Sequence, residues 1–318
     1  MRQRGVWRKR WQAAPRSFNT PADGHGRRGA ERGATMVQMG TVWDRTTAFA
    51  AQAMAAILPI AILLIFLPVS VQIALQPIIV KATIGTRIEL LAAFWAIELL
   101  GTLAIIVLAL GATNRPGEAC RAALARWLPT IGIFAVLAII AGVLAAPMGL
   151  GAHASGIDFA ALQTDPDAAA ASGLSPGLAL FLLLYGLAYI VVMMWATARL
   201  LVIEPVVLAE RRGIGAIVRA VALTRKLTWR IIGVLLLYAI VSTIAVLAAQ
   251  TVFGSVLRLI APDDGDIGIA SVITAIVVGA ISTGFKVLAA VFVAMLYCAV
   301  SDLHLAAADR VEGLAEPS

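Results

Sequence analysis

Two ionisable side chains lie deep inside long apolar runs: Glu98, near the middle of residues 88–110, and Lys286, near the middle of residues 270–300. A lone charge in hydrocarbon costs about 2.5–3.5 kcal/mol on insertion scales, so it needs a partner, a wet crevice or a path to the interface. Opposite charges at similar depth offset that cost by pairing, and a Glu98–Lys286 contact between the two runs is therefore expected. Two roles are open to such a pair. One is a substrate or proton site. The other is a clasp between helices, favoured by the small residues Ala275, Gly279 and Thr283, whose spacing makes one stripe that lets a second helix approach closely.

A second constellation is Arg199, Glu204, Glu210, Arg219 and Arg225. A guanidinium presents a planar fork of N–H donors that matches phosphate oxygens. Arg199, Arg219 and Arg225 are therefore candidate contacts for lipid phosphate, with charge pairing inside a structured loop as the alternative.

Other chemistries lack their residues. A serine protease acting inside a membrane needs a serine and a histidine base together, whereas His25, His153 and His304 all lie outside the apolar runs. The zinc motif H-E-x-x-H and the phosphate-binding P-loop are both absent. Cys120 and Cys298 are too few and too far apart for a disulfide framework or a metal cluster. The glycine-rich stretch 149–156 is followed by aspartates, which suits a loop rather than a phosphate cradle. No catalytic residue, cofactor or metal site is predicted, and no enzyme activity.

The elements that carry these residues follow from composition. The chain has 318 residues, 61% hydrophobic and 14% charged, with a mean hydropathy of +0.92. Soluble domains carry about 25% charged residues. Six apolar runs, at 49–75, 88–110, 128–148, 178–203, 231–253 and 270–300, are long enough to cross a bilayer. A crossing takes about 20 residues of helix, and helix is required because hydrocarbon offers no partner to backbone N–H and C=O groups. The expected fold is all-α: a polytopic membrane protein with six transmembrane helices. Residues 1–40 read as a basic, disordered tail, 41–304 as the six-helix membrane domain, and 305–318 as a cytoplasmic C-terminal tail.

Charge sets the orientation. Residues 1–45 hold ten Lys/Arg and three acids, a net +7 that equals the net charge of the whole chain. The segment after the second run holds Arg115, Arg121 and Arg126; that after the fourth holds Arg211, Arg212, Arg219, Arg225, Lys226 and Arg230. The alternate segments carry Asp158, Asp165 and Asp167, and Asp263, Asp264 and Asp266 against one Arg258, although Lys81 and Arg87 run against the trend. Lys/Arg-rich loops stay cytoplasmic, so both termini are expected inside. The basic tail suits anionic lipid headgroups better than nucleic acid, being short and tethered. Membrane lipids are the expected partners; no motif indicates nucleic acid or a protein partner. No apolar core follows the arginines closely enough for a secretory signal, and Arg27-Arg28 lacks the twin-arginine pattern. Met36 or Met39 opens a run that reads as a natural start, leaving residues 1–35 as either an unstructured extension or untranslated.

The two basic connectors resemble each other. Gly117 and Gly215 each precede an Arg-Ala pair by four residues, and Trp127 and Trp229 open the next runs, which suggests a weakly duplicated hairpin. Residues 214–229 read as one basic helix, with Ile214, Ile217, Val218 and Val221 facing the headgroup boundary.

Three stretches carry a family resemblance. The run from Ala198 through Arg199, Glu204, Pro205 and Leu208 to Glu210 resembles the "R…P…vlE" segment of a bacterial multi-pass family named for the membrane domain of glycerophosphoryl diester phosphodiesterase. Arg219, Leu223, Thr224, Trp229 and Gly233 are similar to its following connector, with Ala220 and Lys226 where Ser and Gly are usual. Tyr297, Asp302 and Leu303, then Arg310, Glu312 and Gly313, resemble its closing segment, with His304 where Arg is common. The resemblance spans residues 36–314 and implies the membrane half alone. The phosphodiesterase chemistry of bifunctional members resides in a separate soluble barrel, for which the spans leave no room. The expectation is an accessory or scaffold protein in lipid or envelope processes. The alternative is a small-molecule or lipid transporter with a midplane site near Glu98 and Lys286.

Overall fold

The computed structural model describes residues 38–154, 175–210, 215–225, 227–260 and 268–315. The basic tail before residue 38, the acidic segments around Asp158–Asp167 and Asp263–Asp266, and Arg211, Arg212 and Lys226 lie outside them. Among the described residues every regular element is a helix, and six are long and apolar enough to cross a membrane. The chain divides into two compact units, one formed by residues up to Ala123 and from Ala249 onward, the other by Leu124–Ala248.

The first unit opens with α1 (Met39–Gln52), α2 (Met54–Ala61), a wide turn at Ile62–Phe66, α3 (Leu67–Ala74) and α4 (Gln76–Lys81). The single run expected over 49–75 is thus broken. Prolines account for the breaks beyond Ala61. Pro68 has no N–H to offer the Leu64 carbonyl, and just before it the Leu67 N–H reaches back five residues to the Ile62 carbonyl, a π-type turn. The helix stops again at Leu75, immediately before Gln76-Pro77. The span proper is Met54–Ala74. Ahead of it, α1 lies along the last helix of the chain and buries Val42, Thr46 and Ala50 on one face.

Helix α5 (Ile84–Ala109) starts on the Thr83 hydroxyl, which accepts from the Thr86 N–H at 3.3 Å. It ends on Gly111, whose positive φ of 68° lets the Gly111 N–H reach the Leu108 carbonyl and the Ala112 N–H the Val107 carbonyl. Only glycine enters that backbone region without strain, and the paired bonds satisfy the last carbonyls of the helix. From Leu99 to Ala109 nearly every side chain of α5 is buried.

Helix α6 (Pro116–Ala154) runs from the first unit into the second. Residues 116–127 are its first turns, not a separate connector. The second unit continues with α7 (Pro176–Leu200), α8 (Ile203–Glu210) and α9 (Gly215–Thr224), and α10 (Thr228–Ile260) leads back to the first. Pro147 sits inside α6. Pro147 has no N–H for the Val143 carbonyl, and around this turn α7 lends hydroxyls to two neighbouring carbonyls. Tyr185 of α7 donates its hydroxyl to the Leu144 carbonyl at 2.6 Å, and Tyr189 to Ala141 at 3.4 Å.

The basic helix expected over 214–229 ends earlier, at Thr224, and α10 starts at Thr228. Ala216, Ala220, Leu223 and Thr224 pack toward α7 and α8, and Val218, expected toward the headgroup boundary, stays 73% exposed. The segment is apolar on most sides, so hydropathy does not choose a face, and small alanines are what permit close packing. The likeness between the connectors therefore does not extend to their helix boundaries. The chain closes with α11 (Ile269–Ala315), which remains helical through residues read as a tail.

Candidate functional site

In the first unit, α11 packs against α1, α3, α5 and the wide turn. Two close approaches fix this arrangement. A Cβ at Gly101 of α5 would come within 2.8 Å of Ile65, 2.9 Å of the Leu64 Cβ and 3.2 Å of the Leu64 carbonyl oxygen. Gly101 therefore seats the wide turn directly against α5. A Cβ at Gly279 of α11 would overlap the Ser70 hydroxyl and lie 3.3 Å from the Ser70 Cα. The stripe of Ala275, Gly279 and Thr283 is buried on the protein side, and the Thr283 hydroxyl turns back to the Gly279 carbonyl at 2.7 Å. Buried Ser70 has no partner for its hydroxyl among the described residues.

Within this frame Lys286 donates directly to Glu98, joining α11 to α5. The two ends of the pair differ in surroundings: the Glu98 side chain is 12% exposed and that of Lys286 41%. Glu98 lies three residues from Gly101, on the tightly packed side of α5. Thr102 donates to the Glu98 backbone carbonyl at 3.0 Å, leaving the carboxylate to the lysine. The pair can hold two helices together, and it can present a fixed dipole at the level of an irregular first span.

The first unit holds a contact that no spacing announced. Trp43 of α1 meets Phe292 of α11 with ring centroids 6.4 Å apart, and Arg45 lies close enough to Asp302 for their charges to interact. The amphipathic run 39–52 was the available signal, but it merges with the first apolar run when hydropathy alone is read.

In the second unit the three candidate arginines separate. Arg219 is bound to Glu210 at 3.1 Å. Arg225 is exposed. Arg199, at the end of α7, lies over the Trp195 ring at 4.9 Å from its centroid and donates to the Val221 carbonyl at 3.4 Å. The Thr224 hydroxyl donates to the Arg199 carbonyl at 2.9 Å, fastening the last turn of α9 to the end of α7. Among the described residues no carboxylate pairs with Arg199, and its Nε has no acceptor. Trp195, one turn before Arg199, is the residue that sequence reasoning left out, and Thr224 entered it only through the family resemblance; the four-residue spacing of Trp195 and Arg199 was the usable sign.

No group of three or more potential metal ligands occurs among the described residues. The chain matches no family model, no curated protein and no solved structure.

Proposed function

We propose that the chain is a non-enzymatic, multi-pass protein of a bacterial inner membrane, with both termini cytoplasmic, acting as an accessory or scaffold protein in lipid or envelope processes. The observation that carries this reading is the direct Glu98–Lys286 contact inside the packed helices of the first unit. The charges deepest in the apolar runs are engaged with each other, as a clasp requires, and Gly101 and Gly279 hold the surrounding helices at close range. The resemblance to the membrane domain of glycerophosphoryl diester phosphodiesterase supports a lipid setting. The alternation of basic and acidic segments supports the orientation.

A transporter is the second reading. It is favoured by the irregular first span, whose wide turn lies beside Gly101, three residues from Glu98, and by the 41% exposure of Lys286. Helices broken near the midplane are a common way to build a transport site.

Reconstitution separates the two. The purified chain in liposomes is expected to pass neither dye-labelled lipid nor small charged solutes, while deletion changes the lipid composition of the membrane. Flux that vanishes in a folded Glu98→Gln, Lys286→Met double variant establishes the transporter instead. Absence of both flux and lipid change overturns both readings.

A further inference from the structure

Arg199 is the best-prepared anion contact in the second unit, and its surroundings point to a particular ligand. Its guanidinium is held by Trp195 on one side and by the Val221 carbonyl on another, so its orientation is set before any ligand arrives. Its charge has no carboxylate partner among the described residues: of the two carboxylates on α8, Glu210 is bound to Arg219, and Glu204 forms no ion pair with a described residue. A positive charge held at the end of an apolar helix without a counter-ion calls for an anion. Arg stacked on an aromatic ring and offering a fork of donors suits a phosphate.

What lies along α7 before Arg199 decides between a free anion and a lipid. Leu184, Val192 and Trp195 fall on the same face of α7 as Arg199 and are 57%, 48% and 48% exposed. That face is an apolar track leading to a cation. Beside it, α9 is fastened to the end of α7 through Thr224 and turns Val218 outward, 73% exposed, with exposed Arg225 one residue beyond Thr224 and Trp229, 82% exposed, at the start of α10. Tryptophan and arginine at a span end, with apolar residues beneath, match the layering of a bilayer from headgroup to acyl chain. A free phosphate uses only Arg199; a phospholipid uses the cation and the track together.

We propose that the end of α7 and the last turn of α9 form a headgroup site for an anionic phospholipid, with Arg199 on the phosphodiester, an acyl chain along Trp195, Val192 and Leu184, and Arg225 on the headgroup rim. The site belongs to the second unit alone. It goes beyond the scaffold reading and stands whether the protein is a scaffold or a transporter.

Native mass spectrometry of the full chain, released from detergent, tests it. Phosphatidylglycerol and phosphatidylcholine of identical acyl chains are titrated separately, and each is competed with millimolar inorganic phosphate. The wild-type chain is expected to retain phosphatidylglycerol about tenfold better, because both lipids offer the phosphodiester but the choline ammonium of phosphatidylcholine is repelled by Arg199 and Arg225. Arg199→Gln is expected to erase that preference. Arg199→Lys keeps charge but loses the fork and should retain only part of it, and Arg115→Gln, on the exposed surface of the first unit, should leave it unchanged. Equal retention of the two lipids by the wild-type chain overturns the proposal without any variant, as does an unaltered preference in folded Arg199→Gln or Arg199→Lys. Displacement of the lipid by inorganic phosphate overturns the lipid assignment in favour of a free-anion site.

Discussion

Glu98 and Lys286 are bound to each other but are not equivalent, and their difference yields a directional prediction. Removing one member of a buried pair strands the other charge, at a cost of about 3–5 kcal/mol when burial is complete. Lys286→Met strands Glu98, which is 12% exposed and has a short side chain. Glu98→Gln strands Lys286, which is 41% exposed and has a long stem that can carry its ammonium toward water. Lys286→Met should therefore destabilise more, by about 3 kcal/mol, and Glu98→Gln by about half of that. The double variant should recover most of the loss, since no charge remains unpaired. Unfolding in mixed micelles, followed as a double-mutant cycle, measures all three. Additive single effects would show that the contact contributes nothing of its own. At the same scale, Tyr185→Phe removes the donor to the Leu144 carbonyl near Pro147 and should cost about 1 kcal/mol, the order found for hydrogen bonds between membrane helices. A van der Waals replacement without loss of stability in the same assay would mean that the carbonyl finds another donor.

Helices were legible as spans because hydrocarbon imposes a length and a composition that can be counted along the chain. Their irregularities were less so. Pro59, Pro68 and Pro77 stood in plain view, yet whether a proline kinks, widens or ends a helix depends on what packs there, and at Pro68 it is Gly101 that receives the widened turn. The Glu98–Lys286 contact was readable because each charge lay near the middle of an apolar run. The buried face of α9 was not, because Ala216 and Ala220 differ little in hydropathy from the residues on its other sides. The close approaches give a graded prediction. Gly101→Ala meets the Leu64 Cβ and carbonyl, which cannot swing aside, whereas at Gly279 the nearest obstacle is the Ser70 hydroxyl, which can rotate. Gly101→Ala should cost about 2–3 kcal/mol and Gly279→Ala about 1 kcal/mol. Gly142→Ala has nothing within 4 Å and should stabilise α6 slightly, by the helix preference of alanine of about 0.5–1 kcal/mol. Thermal unfolding of the three variants ranks them, and a Gly279 variant worse than the Gly101 variant would refute the assignment of rigid and movable neighbours.

The spans of the two units are used differently. Those at Met54–Ala74, Ile84–Ala109 and Ile269–Asp302 have 39%, 44% and 39% of their apolar windows buried, against 6%, 0% and 11% for Pro116–Gly151, Pro176–Glu210 and Thr228–Leu257. Tight packing thus gathers the first and last parts of the chain into one unit, and that has a consequence for topology. The Trp43–Phe292 contact and the Arg45–Asp302 interaction place the approach to the first span and the exit from the last at one end of the same unit. A chain that leaves and returns at one end has crossed an even number of times, in agreement with six spans and with the alternation of basic and acidic segments. In a variant with Cys120 and Cys298 replaced, single cysteines at Gln38 and at Arg225 should resist a membrane-impermeant maleimide in intact cells, and cysteines at Asp165 and Asp264 should react. Replacing Arg219, Arg225 and Arg230 with glutamine weakens the strongest basic segment after the fourth span, but α1 on α11 still ties the two ends together. Labelling at Gln38 and at Ser318 should therefore change together or not at all. A variant in which only one of these two positions becomes reactive would break the even count and with it the six-span topology.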